Sequence, residues 1–144
     1  MMTVKVVCVG TLKEVYWRDA CAEYEKRLRS FCRLQIVQLP ESSPAGEKTA
    51  ILKECEGYVI ALCVEGKPMT SPDLSAALEK ISETSSKVTF VIGSSCGLDD
   101  AVKQRADLRL SFSSFTFPHQ MMRVILLEQI YRAFTISRHM SYHK

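Results

Sequence analysis

Val88-Thr89-Phe90-Val91-Ile92 runs directly into Gly93-Ser94-Ser95-Cys96-Gly97, and a short helix is expected from about Asp99. Apolar and β-branched residues without polar alternation describe a strand covered on both faces, as strands of a parallel sheet are. The glycines that follow allow close backbone approach or positive φ just past the strand's end. Working outward, the same rhythm recurs. Residues 58–64 (YVIALCV) form a second near-continuous apolar run, after which Gly66-Lys67-Pro68 is expected to turn the chain. Residues 3–9 (TVKVVCV), 34–39 (LQIVQL) and 108–112 supply three more strands, the first ending at Gly10 and the second at Pro40.

Helical patterns fill the gaps. Tyr16, Ala20, Tyr24 and Leu28 recur every four residues across 15–29. The stretch 40–46 reads as loop, with a short helix over 47–55. Ser71 looks like an N-cap with Pro72 at the first helical position, opening a helix to about Thr84. A long helix follows Pro118 and ends near Ser137. Alternating strands and helices predict one α/β domain over residues 1–144, with a mostly parallel sheet.

Composition narrows the class. The 144 residues suit one compact core, and 47% hydrophobic with 24% charged residues is ordinary globular usage. No apolar run approaches the roughly 20 residues of a membrane span, and the first residues lack a signal peptide's apolar stretch, so a cytoplasmic protein without membrane contact is expected. Cys8, Cys21, Cys32, Cys55, Cys63 and Cys96 show no CxxC pair and no histidine at ligand spacing. They read as reduced packing thiols, with no metal site. The net charge is +3, but from Arg109 onward Arg109, Arg123, Arg132, Arg138 and Lys144 face only Glu128. Such an end attracts a polyanion; a solvated charged face would give the same count.

Ligands of open α/β sheets sit beyond the carboxyl ends of strands. The glycine loop and the 113–117 loop, with its hydroxyls, aromatics and following Pro118, both occupy such places. They could form a purine pocket or be two ordinary strand-to-helix turns. Neither the GxGxxG fingerprint nor a P-loop is present. In the last helix Met121, Met122, Val124, Ile125, Leu126, Leu127, Ile130, Tyr131, Ala133 and Phe134 cover almost the whole circumference. Such a helix is buried on several sides, either fully inside one chain or between its own sheet and a second copy in a homodimer. Glu128 and Arg132 stand at i,i+4 and are expected to pair.

These motifs together resemble the ribosomal RNA large-subunit methyltransferase H family of SPOUT methyltransferases. The resemblance rests on residues 88–98, on Leu110-Ser111-Phe112-Ser113-Ser114-Phe115-Thr116-Phe117-Pro118-His119-Gln120-Met121-Met122-Arg123, and on Glu128-Gln129-Ile130-Tyr131-Arg132-Ala133. Gly10-Thr11, Gly66-Lys67-Pro68 and the closing Tyr142-His143-Lys144 extend it over essentially the whole chain. It implies a SPOUT α/β-knot, a mostly parallel five- to six-stranded sheet flanked by helices with a C-terminal trefoil knot. It also implies S-adenosylmethionine bent in that knot, held by the backbone at Leu62, Gly93, Phe112, Ser113, Ser114, Phe115, Thr116 and Phe117. The implied reaction is methylation, by a homodimer and without a metal, of N3 of a pseudouridine in the helix 69 loop of 23S rRNA in the assembled ribosome.

Under that resemblance His143 is the candidate for proton transfer, or else an RNA-contacting or frayed terminal histidine. Tyr142 is placed to stack on a base. Arg123 and Lys144 would hold phosphates, although Arg123 at a helix start can instead be structural. His119, in the first helical turn, caps or packs. The chain departs from the family pattern at Ser94 in place of a second glycine, at Cys63 in place of an acidic residue, at Ser141 in place of proline, and in a shortened 40–58 stretch. Alternatives are a SPOUT enzyme with another rRNA or tRNA target, a non-catalytic dimeric ribosome-binding factor, and a flavodoxin-like nucleotide-binding module, which a knotted backbone would exclude.

Overall fold

The computed structural model describes residues 1–95 and 97–144; Cys96, one of the expected packing thiols, lies outside the described residues. Ten elements follow in the order β1 (Thr3–Val9), α1 (Val15–Leu28), β2 (Arg33–Leu39), α2 (Pro44–Glu54), β3 (Tyr58–Pro68), α3 (Ser71–Ser82), β4 (Lys87–Val91), α4 (Asp100–Arg105), β5 (Leu108–Ser111) and α5 (His119–Ser137). The strands form one sheet in the order β2-β1-β4-β3-β5, and each pairing is parallel. All five loops that leave the strands' carboxyl ends therefore open on one edge of the sheet.

Strand periodicity sorts the helices into two layers. In β1, Val4, Val6 and Cys8 point to one face and pack with Leu28 of α1, Leu78 of α3 and Leu126, Leu127 and Ile130 of α5. Val7 and Val9 point to the other face, where Ile51 of α2 and Val102 of α4 cover them together with Val59 and Val91. Both faces are thus buried, which is why the central strands are apolar without alternation. The apolar circumference of α5 fits this position: one side lies on the sheet while α1 and α3 flank it. Among the described residues, no helix is long and apolar enough to cross a membrane.

Three boundaries differ from the sequence reading. α2 begins at Pro44, not Glu47, because Ser43 caps it by accepting from the Gly46 N–H at 3.1 Å and Pro44 suits a first helical position. α3 is capped by Thr70, not Ser71. The Thr70 hydroxyl accepts from the Asp73 N–H (3.1 Å) while the Asp73 carboxylate accepts from the Thr70 N–H (3.0 Å), a reciprocal box. Ser71 is left free to donate to Gln129 Oε1 on α5 at 2.6 Å. Finally, Gly66-Lys67-Pro68 does not turn the chain. β3 bulges after Leu62 and returns to the ladder at Lys67, with Leu110 of β5 opposite both.

Candidate active site

Beyond the carboxyl ends of β4 and β5, and beside the bulge of β3, lies an open cleft of about 220 Å³. Of the eight positions the resemblance singled out for the cofactor, seven line it: Leu62, Gly93, Phe112, Ser113, Phe115, Thr116 and Phe117. Ser114 is exposed and outside the lining. The bulged stretch of β3 and the loops after β4 and β5 are brought together because these strands are sheet neighbours, with β3 between β4 and β5.

Each loop has a local reason for its shape. At Gly93 a Cβ would stand 2.7 Å from the Gly97 carbonyl carbon, so the loop doubles back too tightly for any side chain. Gly97 adopts φ +78° and its N–H donates to the Ser94 carbonyl at 2.9 Å, closing the turn. Ser94, the departure from a second glycine, donates from its hydroxyl to Glu47 on α2 at 2.8 Å. The loop after β5 is fixed by Ser113, whose hydroxyl accepts from the Phe115 N–H (3.0 Å) and whose carbonyl accepts from the Ser111 hydroxyl (3.1 Å). That turn leaves Phe115 78% exposed at the cleft's mouth. Apolar side chains of Leu62, Ile92, Leu98 and Leu110 form the floor. A flat apolar heterocycle fits such a floor, and peptide groups of close-packed loops suit the reading of its edge.

The rim holds residues that the sequence reading did not single out for the cleft. Cys63 and Glu65 come from the β3 bulge, Lys103 from α4, and His119 and Met122 from the start of α5. Glu65 pairs with Lys103, and the bond to that ammonium holds its carboxyl below the usual range. Burial pushes the Cys63 thiol up, with the nearby Glu65 charge adding to the rise. No local sequence signal places Glu65 here, because residues 63–66 leave the β3–β5 ladder and the strand's alternation does not carry through them.

The tail residues do not join the cleft. His143 Nδ1 lies 3.0 Å from an Arg132 guanidinium nitrogen, and because arginine only donates, this ring nitrogen accepts. Arg132 in turn pairs with Glu128 at 2.8 Å, the expected i,i+4 contact. The Tyr142 ring packs edge-on against Tyr131 at 4.8 Å, with Arg132 over its face at 4.8 Å. Burial raises the Tyr142 hydroxyl's pKa, with its bond to Tyr24 adding to it. Arg132 stands ten positions beyond Met122 on α5, about 15 Å along the axis. Within one chain His143 is therefore remote from the cleft. Lys144 is exposed at the chain's end.

Arg123 requires a correction. It was offered as a phosphate contact or a structural group, and the second description is the one that applies. It is 3% exposed, and its guanidinium donates to Gln38 Oε1 and to the Gly10 carbonyl, each at 2.9 Å, with Nε unpartnered. It ties the N-terminal part of α5 to the ends of β1 and β2, and burial closes it to a phosphate. Among the described residues no cluster of three His, Cys, Asp or Glu side chains is arranged for a metal.

A parallel sheet with a cleft over the ends of β3 to β5 defines a class, and the comparisons agree on which. A family model described as a predicted SPOUT methyltransferase matches residues 2–143. A methylase family protein from Haemophilus influenzae Rd KW20 superposes with a TM-score of 0.61 over 98% of this chain and 70% of that one, at 12% identity. Another from Neisseria gonorrhoeae gives 0.58 over 90% and 82%, at 13% identity. Closer in sequence are proteins named ribosomal RNA large subunit methyltransferase H. That of Bacillus pumilus is 45% identical and that of Streptococcus equi subsp. zooepidemicus 43%, each over 99% of this chain and all of the relative. The chain belongs to the ribosomal RNA large subunit methyltransferase H family.

Proposed function

We propose that this protein transfers a methyl group from S-adenosylmethionine to N3 of a pseudouridine in the helix 69 loop of 23S rRNA, on the assembled ribosome, as a cytoplasmic homodimer with the knotted backbone of its class. The observation that carries the reading is the cleft, where seven of the eight cofactor positions converge from β3 and two loops. The names of the full-length relatives support an RNA of the large subunit as the acceptor.

The donor supplies an electrophilic methyl group on a sulfonium. What remains for the protein is alignment of the acceptor and removal of its imide proton. The apolar floor would seat the donor's heterocycle, and the tight loops at Gly93 and residues 112–117 would hold it by their backbone groups. The proton acceptor is His143, whose own protomer keeps it some 15 Å of helix away from the cleft. A second copy's tail is the route by which a His143 reaches the reacting atoms, which makes the homodimer part of the mechanism.

Two measurements test this. Calorimetric titration with S-adenosylmethionine is expected to show binding that Thr116→Trp, an exposed lining position, abolishes without changing the melting temperature. Ribosomes lacking the modification are then incubated with protein and donor and mapped by reverse transcription. A methyl on N3 blocks the base's pairing edge, so a new stop is expected in the helix 69 loop. A stop elsewhere would reassign the target, and binding without any methyl transfer would favour a non-catalytic ribosome-binding factor.

A further inference from the structure

Four residues, 63–66, are excess chain between Leu62 and Lys67, which share Leu110 as their partner in β5. Cys63, Val64 and Glu65 of this bulge border the cleft. Gly66 lets the bulge close, because a Cβ there would sit 2.8 Å from the carbonyl carbon and oxygen of Arg109. The bulge thus delivers an acid to the rim of a mostly apolar cleft, and α4 delivers a lysine to meet it. The Lys103 side chain is 22% exposed against 56% for Glu65, so the base of the pair is covered and the acid faces outward. Such a half-exposed ion pair contributes little to stability. Its position at the lip of the cofactor cleft is better explained by a ligand.

We propose that the Glu65 carboxylate, steered by Lys103, accepts the ribose diol of the bound adenosyl cofactor; this rests on the cofactor reading of the cleft given above. A carboxylate offers about four lone-pair sites, and one ammonium leaves most of them open. Two neighbouring hydroxyls are a donor pair of matching size. The charge of Glu65 is already met by Lys103, so the pair presents little net field. That favours neutral donors such as a diol over the cofactor's ammonium group. The floor beneath takes the heterocycle, so the sugar falls at the rim where the pair stands. Lys103 is a positioning residue, acting through Glu65.

The test uses the full chain and three ligands: S-adenosylhomocysteine by direct titration, and adenosine and 3′-deoxyadenosine as competitors. The unaltered protein is expected to prefer adenosine to 3′-deoxyadenosine about tenfold, the size of one hydrogen bond to a charged group. Glu65→Gln is expected to weaken S-adenosylhomocysteine about tenfold and to erase that preference. Lys103→Met is expected to narrow the preference while leaving the melting temperature unchanged, which a purely structural role for the lysine would not produce. Unaltered affinity in Glu65→Gln, or a preference that survives it, overturns the inference and leaves the cofactor reading standing. Failure of the unaltered protein to bind S-adenosylhomocysteine overturns the cofactor reading itself.

Discussion

The two ends of α5 contrast sharply in what surrounds them. At its start, His119 and Met122 join loops from three strands to border an open cleft. At its far end, Tyr131 and Arg132 hold Tyr142 and His143 in a cluster that also takes in Tyr24, Phe31 and Phe134. One end exposes backbone turns around an open cleft; the other is packed against its own tail. The loops occupy the cleft because strand pattern dictates where each strand sits, and each loop is carried there by its strand. The tail has no such carrier, and its resting place is set by aromatic and arginine contacts across long sequence separations. The tail residues therefore rest on the folded chain apart from its own cleft.

The largest effect expected to separate the two ends is on turnover. His143→Ala should lower methyl transfer to ribosomes about a hundredfold or more, while calorimetry shows S-adenosylmethionine affinity within about twofold of the unaltered protein. Comparable losses in both would mean the tail shapes the cleft, and the contrast would be broken. A mixing experiment sharpens it. Thr116→Trp and His143→Ala chains are each expected to be inactive, one for want of donor and the other for want of a base. Co-expressed, half of the dimers pair one with the other, and each such dimer has one complete site. About a quarter of full activity is then expected. No recovery would place the tail's action within its own chain.

Next in size is Arg123. Removing its side chain by Arg123→Ala leaves the Gly10 carbonyl and Gln38 without their donors and opens a cavity beneath α5. A cost of about 3 kcal/mol in urea unfolding is expected. A cost below about 1 kcal/mol would show that the tie between α5 and the β1 and β2 ends contributes little.

The strands and long helices were legible in sequence because burial on both faces writes itself as unbroken apolar runs and four-residue spacing. What escaped needed a neighbour. Gly66-Lys67-Pro68 has turn chemistry, and only the presence of β5 alongside converts it into a bulge that rejoins the ladder. The capping role fell to Thr70 because Asp73 lies three residues on, a pairing visible in sequence once both candidates are weighed. For Arg123 the sequence left a phosphate contact and a structural role open, and its spacing to Leu126, Leu127 and Ile130, on the buried stripe of α5, decides for the second. Glu65 and Lys103 meet across 38 positions, and no local pattern announces that. The cleft loops were legible for the opposite reason, being the segments that directly follow the buried strands.

The smallest expected effect is on alkaline stability, and it again sets the two ends apart. Burial lifts Cys21, on the buried side of α1, and Cys32, next to Phe31, from the usual thiol value of 9.0 to about 11. Their folded-state pKa is raised, so the unfolded chain loses these protons first as pH climbs above about 9. Stability is then lost between about pH 9 and pH 11. At pH 10 each thiol should contribute about 1 kcal/mol of this loss. Urea unfolding at pH 8 and pH 10 reads it, and Cys32→Ala isolates it. The variant is less stable at pH 8 because a packed side chain is gone, but its further drop at pH 10 should be smaller by about 1 kcal/mol. Lysine and tyrosine ionisation affects both proteins alike and cancels in the difference. Cys63, at the cleft end and only partly covered, should meanwhile react with iodoacetamide faster than the buried Cys21 and Cys32 in the folded protein. S-adenosylhomocysteine should slow that reaction, because the thiol borders the space the ligand fills. Protection of Cys32 instead would move the ligand to the wrong end of α5 and undo the comparison.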